Sequence, residues 1–391
     1  MKSLLLIALV ATTLTAGAES TPTADTAQML ETFRKKYDLP ALFVVVVKDG
    51  KICDRAAVGV RKIGDPTPVT TNDIIHIGSC TKSMTATLAA IFIEEGKLRW
   101  DTTIAEVFPE LKGKMDKQYE RVTVEQLLTH RGGVPNRPPA DAIKRAWEAQ
   151  GVPVDLRPEF LAHFGTFYFY EKAQGTPVEQ RREFIEAVLT QPPQAAPGTQ
   201  WIYSNQGYAI IGAMLEKIAG KPWEDLITEK LFKPLHMDTA GFGAPGTYGK
   251  VDEPWGHKIE GEKVKAFHYD NPPAIAPGGN VHCSLGDLAR FTMMHLQGEK
   301  KGSLLKPETF RKLHTPPGRD NYACGWVCEY HDWAGGRTLN HGGSNTMWKT
   351  VMWLALEKNF SVVVATNFDG SETENECNEV ADAMIKKWLT N

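Results

Sequence analysis

The sequence predicts an α/β (α+β) fold: an antiparallel sheet flanked by helices and built from both ends of the chain, with a mostly helical region between them. Three observations lead to this prediction. Strand patterns cluster at the two ends, a hairpin turn joins the first two of them, and helical periodicity dominates the middle. A chain that leaves a sheet, forms a helical region and returns leaves a cleft between the two parts, where we expect a ligand to bind.

The strands at the N-terminal end form the clearest local pattern. The segment from Ala41 to Lys48 is rich in valine, and the Asp49-Gly50 pair after it is a strong signal for a hairpin turn. The segment from Lys51 to Val60 then predicts the partner strand.

Further strand patterns lie near the C-terminus and are followed by a closing helix. The predicted strands are Tyr322 to Tyr330, Thr338 to His341, Thr350 to Leu356 and Phe360 to Thr366. The closing helix places Cys377, Val380, Met384 and Trp388 on one face.

The middle of the chain shows helical spacing with glycine at the helix ends. One helix carries Met84, Leu88, Ile91 and Phe92 and ends at Gly96; a second carries Ile211, Met214, Leu215 and Ile218 and ends at Gly220 and Pro222; a third, shorter one covers Val122 to Thr129. Between them, the stretch from Arg131 to Thr199 is rich in proline, glycine and aromatic residues, among them Phe164 to Tyr170. This stretch either walls a substrate pocket or forms an irregular excursion with its own small core, and the sequence leaves both open.

Composition and charge exclude some classes of function. The chain has 391 residues and a formal net charge of −3, which gives no reason to expect a nucleic acid or an acidic membrane surface as partner. The eleven histidines are scattered without a His-Glu-x-x-His pattern, which disfavours a metal hydrolase. We expect no metal and no other cofactor. The oligomeric state stays unknown.

The first residues resemble a secretory signal peptide. Lys2 supplies the charged region, Leu4 to Val10 the apolar run, and Ala16-Gly17-Ala18 a cleavage site. The run is short for a membrane anchor, so we expect no membrane span after cleavage and a periplasmic or secreted protein. The predicted organisation is a signal peptide over 1–18 and a single catalytic domain over 25–391. Its α/β part covers about 25–78 and 285–391, and its helical part about 79–284.

Export permits disulfides, but the six cysteines do not require them. On the predicted strand from Tyr322 to Tyr330, the Cα atoms of Cys324 and Cys328 would lie roughly 13 Å apart, too far to bridge. Six free thiols and a disulfide framework both remain open. Cys80 is a minor candidate for a nucleophile.

The segment Ser79-Cys80-Thr81-Lys82 offers a nucleophile and a base on one helix face, about one turn apart. A serine hydroxyl needs a nearby base, and a partly desolvated lysine supplies one. If Ser79 begins the helix, its backbone N–H also points toward a developing oxyanion. Ser303-Leu304-Leu305-Lys306 has the same spacing, but Gly302 and Pro307 place it in a surface turn.

Two further elements complete a candidate site. Tyr203-Ser204-Asn205 precedes the second helix; a phenol near a lysine ionises more readily and shuttles protons, and the asparagine amide orients a substrate carbonyl. Tyr269-Asp270-Asn271 repeats this pattern in a loop before two prolines. His341-Gly342-Gly343-Ser344 ends a strand, where glycine permits close approach of a substrate and the Ser344 N–H completes an oxyanion hole.

These residues carry a resemblance to the serine β-lactamase and penicillin-binding-protein superfamily, in its class C β-lactamase-like branch of β-lactamases, D,D-peptidases, D-amino-acid peptidases and esterases. The branch has Ser-x-x-Lys, Tyr-x-Asn and Lys/His/Trp-x-Gly in this order. The matching pairs are Ser79/Lys82, Tyr203/Asn205 and His341/Gly343. The flanks Ile77 to Ser83, Leu127 to His130, Pro197 to Thr199, Tyr203 to Tyr208 and Asn340 to Gly343 are also similar.

The resemblance implies a β-lactamase/transpeptidase-like fold, a small-molecule ester, amide or peptide as substrate, and an acyl-enzyme on Ser79. In that mechanism Lys82 and Tyr203 handle protons, and the order of their roles stays open. Asn205, His341, Gly343 and Ser344 bind the substrate, and the Ser79 and Ser344 N–H groups hold the oxyanion.

One departure from the family pattern affects the expected substrate. β-Lactamases of this branch usually carry Lys-Thr-Gly where this chain has His341-Gly342-Gly343. Histidine is only partly charged near neutral pH, and Gly342 lacks a hydroxyl for a substrate carboxylate, although Arg131 or Arg137 is available to compensate. We therefore expect an esterase or D-peptidase before an efficient β-lactamase. The alternatives are a β-lactamase proper and a catalytically silent penicillin- or peptidoglycan-binding module; an α/β-hydrolase is disfavoured because no Gly-x-Ser-x-Gly occurs.

Overall fold

The computed structural model describes residues 24–136 and 175–390. The predicted signal peptide, Arg137 and the aromatic run from Phe164 to Tyr170 lie outside these residues. The α-helices are α1 (Ala24–Lys36), α2 (Thr81–Glu94), α3 (Ile104–Val107), α4 (Val124–Leu128), α5 (Pro177–Leu189), α6 (Asn205–Ala219), α7 (Trp223–Ile227), α8 (Ala276–Gly279), α9 (Leu285–Lys301), α10 (Pro307–Leu313) and α11 (Thr373–Ile385).

Strands from both ends of the chain form a six-stranded antiparallel sheet in the order β2-β1-β11-β10-β9-β8. This confirms the predicted fold class. The strands are β1 (Ala41–Lys48), β2 (Lys51–Gly59), β3 (Ile74–His76), β4 (Gly241–Phe242), β5 (Gly256–Glu260), β6 (Lys263–Phe267), β7 (Val281–Ser284), β8 (Val327–His331), β9 (Gly336–Ser344), β10 (Lys349–Ala355), β11 (Phe360–Thr366) and β12 (Phe368–Asp369).

The first hairpin has the geometry that its turn residues favour. Asp49 and Gly50 both have positive φ, as a type I′ turn requires, and Lys48 pairs with Lys51. On its other edge β1 pairs with β11, and every residue of β1 except the last is buried. This valine-rich run, buried on both faces, is therefore an interior strand of the sheet.

The two faces of the sheet pack against different helices. Val44 and Val364 lie on the face covered by α1 and α11, together with Val380. Phe43 and Val363 lie on the opposite face, in the core that α2, α6 and α9 also line. The candidate site lies on this second side, where β9 meets the turn before α2.

The middle of the chain also contains short strands. β5, β6 and β12 form one three-stranded sheet, and β3, β7 and β4 form another. In the second sheet β3 pairs with β7 and leads directly to Ser79, so this small sheet helps to place the nucleophile.

The strand predicted from Tyr322 to Tyr330 is wrong in its first half, because β8 begins at Val327. Gly325 has φ +77°, and the chain turns there so that Tyr322 bridges Val327. A Cβ at Gly325 would lie 2.6 Å from Ser83 Cα, so this turn packs directly on α2. All six cysteines are free thiols; five are buried and Cys53 is half-buried.

Candidate active site

Ser79 lies in a single turn of 3₁₀ helix, Gly78–Cys80, that leads straight into α2. Lys82 is in the first turn of α2, one helical turn from the serine, and its side chain is fully buried. The distance between Lys82 Nζ and Ser79 Oγ is 2.9 Å. The structure therefore brings this predicted pair into contact.

The surroundings of Lys82 favour its uncharged form. Its Nζ donates to Asn205 Oδ1 (2.6 Å) and to the Gly278 carbonyl oxygen (2.6 Å). Burial lowers the pKa of Lys82 to about 7. A neutral amine has two protons and one lone pair; the two carbonyl oxygens accept the protons, so the lone pair is left for the Ser79 hydroxyl.

Tyr203 and Asn205 are placed by the start of α6. Ser204 is the N-cap residue, and its hydroxyl accepts from the Gly207 N–H (3.2 Å). The Tyr203 ring centroid lies 4.7 Å from Lys82 Nζ. Because Asn205 Oδ1 accepts from Lys82, its Nδ2 is the group left to meet a substrate carbonyl.

The expected easy ionisation of Tyr203 is wrong. Burial raises the pKa of the Tyr203 phenol, and hydrogen bonding with Ser79 offsets this only in part. Tyr203 is therefore a neutral phenol, which donates a proton more readily than it accepts one, and Lys82 is the stronger base of the pair.

Strand β9 packs backbone to backbone against the serine turn. A Cβ on Gly78, which has φ +49°, would lie 2.3 Å from the Ser344 nitrogen. A Cβ on Gly343 would lie 2.0 Å from the Ile77 carbonyl oxygen. Only glycine at both positions permits this approach, and it brings the Ser344 N–H beside the turn that carries Ser79.

His341 is buried and neutral. Its Nδ1 lies 2.6 Å from the Gly342 carbonyl oxygen, so this nitrogen carries the proton, and its Nε2 accepts from the Tyr322 hydroxyl (2.9 Å). Burial and the nearby Lys82 lower the pKa of His341 to about 3. The third motif thus supplies a dipole where the family pattern has a lysine cation.

Gly342 faces away from the serine turn. A Cβ there would lie 2.8 Å from Glu374 Oε1, on the side of the sheet covered by α11. A hydroxyl-bearing side chain at position 342 would point at Glu374 and would not reach a substrate carboxylate, contrary to the expectation from the sequence.

The family model described as beta-lactamase matches residues 26–383. The chain belongs to the beta-lactamase family. Protein flp of Staphylococcus aureus strain N315 is 21% identical over 345 residues, which cover 88% of this chain and 62% of flp. Penicillin-binding protein 4 of Amycolatopsis lactamdurans is 25% identical over 272 residues, 69% of this chain and 62% of that protein. The chain thus spans less than two thirds of the length of these relatives.

Solved structures share the fold of the family over nearly the whole chain. The octameric penicillin-binding protein homologue from Pyrococcus abyssi has a TM-score of 0.71 at 23% identity, covering 94% of this chain and 77% of that one. A class C beta-lactamase has a TM-score of 0.71 at 20% identity, covering 93% and 96%. The D-amino acid amidase from Ochrobactrum anthropi SV3 has a TM-score of 0.69 at 17% identity, covering 93% and 99%.

An aromatic cluster borders the family's serine site in this chain. Its rings are His130, Trp201, Tyr203, Tyr208 and Tyr322, with the His130 ring 4.4 Å from that of Tyr203. His130 Nδ1 accepts from the Ser204 N–H (3.2 Å), and burial holds the pKa of His130 well below its usual range. Trp201 is 41% exposed and forms the outer edge of the cluster. The sequence did not identify Tyr322 as a site residue, because the residue lies in a segment predicted to be a strand. His130 was noted only as part of a segment that is similar to the family.

The other candidate residues from the sequence do not contribute a reactive or unpaired charged group to the site. Ser303 is in a turn, where its N–H donates to the Leu305 carbonyl oxygen (2.9 Å). The Cys80 thiol is buried against the His341 carbonyl oxygen (3.4 Å), and burial raises its pKa, so it is not a nucleophile. Arg131 pairs with Asp320 and donates to the Gly198 carbonyl oxygen, so its charge is already matched.

Within residues 24–136 and 175–390, no group of three or more His, Cys, Asp or Glu side chains is placed to hold a metal ion. Among these residues, no helix combines the length and apolar character needed to cross a membrane.

Proposed function

We propose that this member of the beta-lactamase family is a serine hydrolase that cleaves an ester or amide through an acyl-enzyme on Ser79. The observation that carries the proposal is the buried Lys82, whose Nζ lies 2.9 Å from Ser79 Oγ and whose pKa is lowered by burial to about 7, so that it can serve as a base near neutral pH. A lysine held in this state has lost its solvation, which a purely structural role does not require.

In the acylation step, Lys82 Nζ takes the Ser79 proton as Oγ bonds to the substrate carbonyl carbon. The carbonyl oxygen becomes an oxyanion between the Ser79 and Ser344 N–H groups. When the tetrahedral intermediate collapses, its bond to the alcohol or amine breaks, and Tyr203 passes a proton to that leaving group. The proton on Lys82 restores the phenol.

In deacylation, a water molecule takes the place of the leaving group. Lys82 accepts one proton of the water as its oxygen bonds to the acyl carbon, and the bond from that carbon to Ser79 Oγ breaks. Ser79 regains its proton and the carboxylic acid leaves. Throughout, Asn205 Nδ2 is placed to orient a carbonyl of the substrate.

The preferred substrate class is an ester or a D-peptide bond. Neutral His341 has no charge to attract the carboxylate that penicillins carry, which weakens β-lactamase activity. Structural neighbours described as a D-stereospecific amidohydrolase from Streptomyces sp. and as a D-amino acid amidase support amide cleavage as a second branch of this proposal.

The alternative from another class is a silent penicillin- or peptidoglycan-binding module, which the name of the Amycolatopsis relative suggests. Such a module needs a pocket but no activated serine. The buried base beside Ser79 therefore favours turnover.

A fluorophosphonate probe tests the proposal directly. We expect one stoichiometric adduct on the wild-type protein, none on Ser79→Ala, and an unchanged adduct on Ser303→Ala, which has the same sequence spacing outside the site. An unlabelled wild type, or equal labelling of Ser79→Ala, would refute the proposal. Labelling without turnover of any ester, amide or β-lactam would support the silent module.

Turnover of short nitrophenyl esters and of a chromogenic cephalosporin separates the enzyme classes. We expect the ester to give the higher kcat/KM. A cephalosporin rate far above the ester rate would identify a β-lactamase proper.

We also propose that the protein is exported. The support is the sequence pattern of Lys2, the apolar run and the Ala16-Gly17-Ala18 site. Intact mass of protein recovered outside the cytoplasm should show loss of residues 1–18; full-length protein in the cytoplasm alone would contradict export.

A further inference from the structure

We propose that Asp270 is a positioning residue that holds the two backbone segments of the oxyanion hole in register; this rests on the proposed function. Its side chain is only 5% exposed. Oδ2 accepts from His76 Nε2 (2.8 Å), and Oδ1 accepts from Asn345 Nδ2 (3.0 Å). One carboxylate is thus hydrogen-bonded to His76, which lies three residues before Ser79, and to Asn345, which directly follows Ser344.

The branch through His76 reaches the serine turn. The Gly78 N–H donates to His76 Nδ1 (3.1 Å), so the ring proton lies on Nε2 and is donated to Asp270. His76 is fully buried, and its carbonyl oxygen accepts from Thr350 Oγ1 (3.1 Å) on β10. The imidazole therefore transmits the position of Asp270 to the Ile77–Gly78 peptide, next to the peptide that carries the Ser79 N–H.

The branch through Asn345 reaches the end of β9. Asn345 Oδ1 accepts from the Met347 and Trp348 N–H groups (3.2 and 3.0 Å), which closes the turn after the strand. With Nδ2 bonded to Asp270, the amide of this buried side chain is held at both ends. The peptide between Ser344 and Asn345 is thereby fixed relative to the serine turn.

Only a carboxylate satisfies both branches. His76 and Asn345 both donate, and Asp270 accepts one proton on each oxygen. In Asp270→Asn the side chain keeps its shape, but one oxygen becomes an NH₂ group that faces a donor. One branch must then break while the other is kept, so the two oxyanion N–H groups lose their common anchor.

The test compares Asp270→Asn with wild type per active site, counted by complete fluorophosphonate labelling. We expect kcat for a nitrophenyl ester to fall about 10- to 100-fold, because a displaced oxyanion donor or a misplacement of about 1 Å has effects of this size. KM should stay within about threefold. An arylboronic acid, which forms a tetrahedral adduct on a serine, should lose affinity by a factor similar to the loss in kcat.

Tyr269→Phe is the matched control in the same loop, because Tyr269 accepts from Lys258 outside the site and should leave kcat unchanged. Asn345→Ala breaks one branch only and should lower kcat and boronate affinity in the same way. A double variant of Asp270 and Asn345 should be non-additive.

A purely structural role for Asp270 would reduce the number of labelled sites and the melting temperature, with kcat per labelled site and boronate affinity within twofold of wild type. That result would overturn the inference. If Asp270→Asn does not fold, an Asn345→Ala variant with unchanged kcat and unchanged boronate affinity would overturn it instead. A wild type that takes up no fluorophosphonate would instead refute the proposed function, so the two failures are distinguishable.

Discussion

Lys82 must be uncharged to accept the Ser79 proton, so the proposed mechanism depends on pH through this one side chain. Burial lowers its pKa from the ordinary 10.5 to about 7. The base form therefore increases as the pH rises through 7. We expect kcat/KM for an ester to rise between pH 6 and pH 8 with a midpoint near 7.

The size of the effect follows from this pKa. A group with a pKa of about 7 is about 9% neutral at pH 6 and about 91% neutral at pH 8, so kcat/KM should rise about tenfold. At pH 7, a lysine with its ordinary pKa of 10.5 would be about 0.03% neutral, so burial increases the base form more than 1,000-fold. In free energy, burial disfavours the charged form by about 5 kcal/mol.

Two measurements check this prediction. The first is kcat/KM from pH 5 to pH 9, corrected for spontaneous ester hydrolysis. The second is an NMR titration of lysine Cε, in which the resonance that disappears in Lys82→Met should titrate near pH 7, while Lys217→Met, at an exposed ion pair, serves as the control. Burial holds the pKa of His341 near 3 and that of His130 well below its usual range, so neither titrates in this window.

A flat pH profile between 6 and 8, or a Lys82 resonance that titrates near 10.5, would refute the reasoning. The same titration also affects stability. Between about pH 7 and 10.5 the unfolded chain binds a proton at Lys82 that the folded chain lacks, so the free energy of unfolding rises with pH in this window. Lys82→Met should lack this part of the pH dependence.

Three further substitutions test the packing and the proton path. Gly343→Ala should lower ester kcat/KM about 100-fold, because its Cβ would meet the Ile77 carbonyl oxygen at 2.0 Å and displace β9; near-normal kinetics would contradict the close approach. Tyr203→Phe should lower kcat about 100-fold or more at an unchanged melting temperature, and a loss below threefold would remove the phenol from the proton path. Glu216→Ala should destabilise the fold by about 3 kcal/mol in thermal unfolding, because Arg181 is fully buried beside it; a change below about 1 kcal/mol would show that the second carboxylate partner of Arg181 suffices.

The interior strands β1 and β11 were predictable because their own residues indicate strand structure without knowledge of tertiary contacts. The predicted bounds of Ala41 to Lys48 and Phe360 to Thr366 are those of β1 and β11. Both runs are rich in valine and buried on both faces, and a turn with a strong local preference marks the first of them.

Other elements depend on contacts that the sequence does not display. β5 and β6 are short, and most of their residues are partly or fully exposed, so no apolar run or clear alternation marks them. The run from Tyr322 to Tyr330 has strand composition, but Gly325 turns the chain to pack on α2. The composition of a segment can indicate a strand, but it does not show that the chain must turn there in order to pack against a helix.

The order of the motifs in the sequence identified the residues of the candidate site. The protonation states of these residues depend on burial, which the sequence does not show. Lys82, Tyr203 and His341 all lie together in the structure. The sequence predicts a phenol that ionises readily, but burial raises the pKa of Tyr203 and the hydrogen bond with Ser79 offsets this only in part. Asp270 belongs to a repeated Tyr-x-Asn pattern that the sequence offered as a turn, and only the fold shows that its carboxylate lies between His76 and Asn345.

The charge state of the site also bears on its substrate. A lysine at position 341 would place a cation beside Lys82, and the two charges would disfavour each other in a buried site. Neutral His341 removes that repulsion, but it also removes the attraction for a substrate carboxylate. Neither the Tyr203 phenol nor the His341 imidazole carries a charge that would attract a substrate carboxylate, and the backbone N–H groups hold the oxyanion that forms during the reaction. We therefore expect an uncharged ester or peptide carbonyl to suit this site, with the oxyanion held between the serine turn and the end of β9.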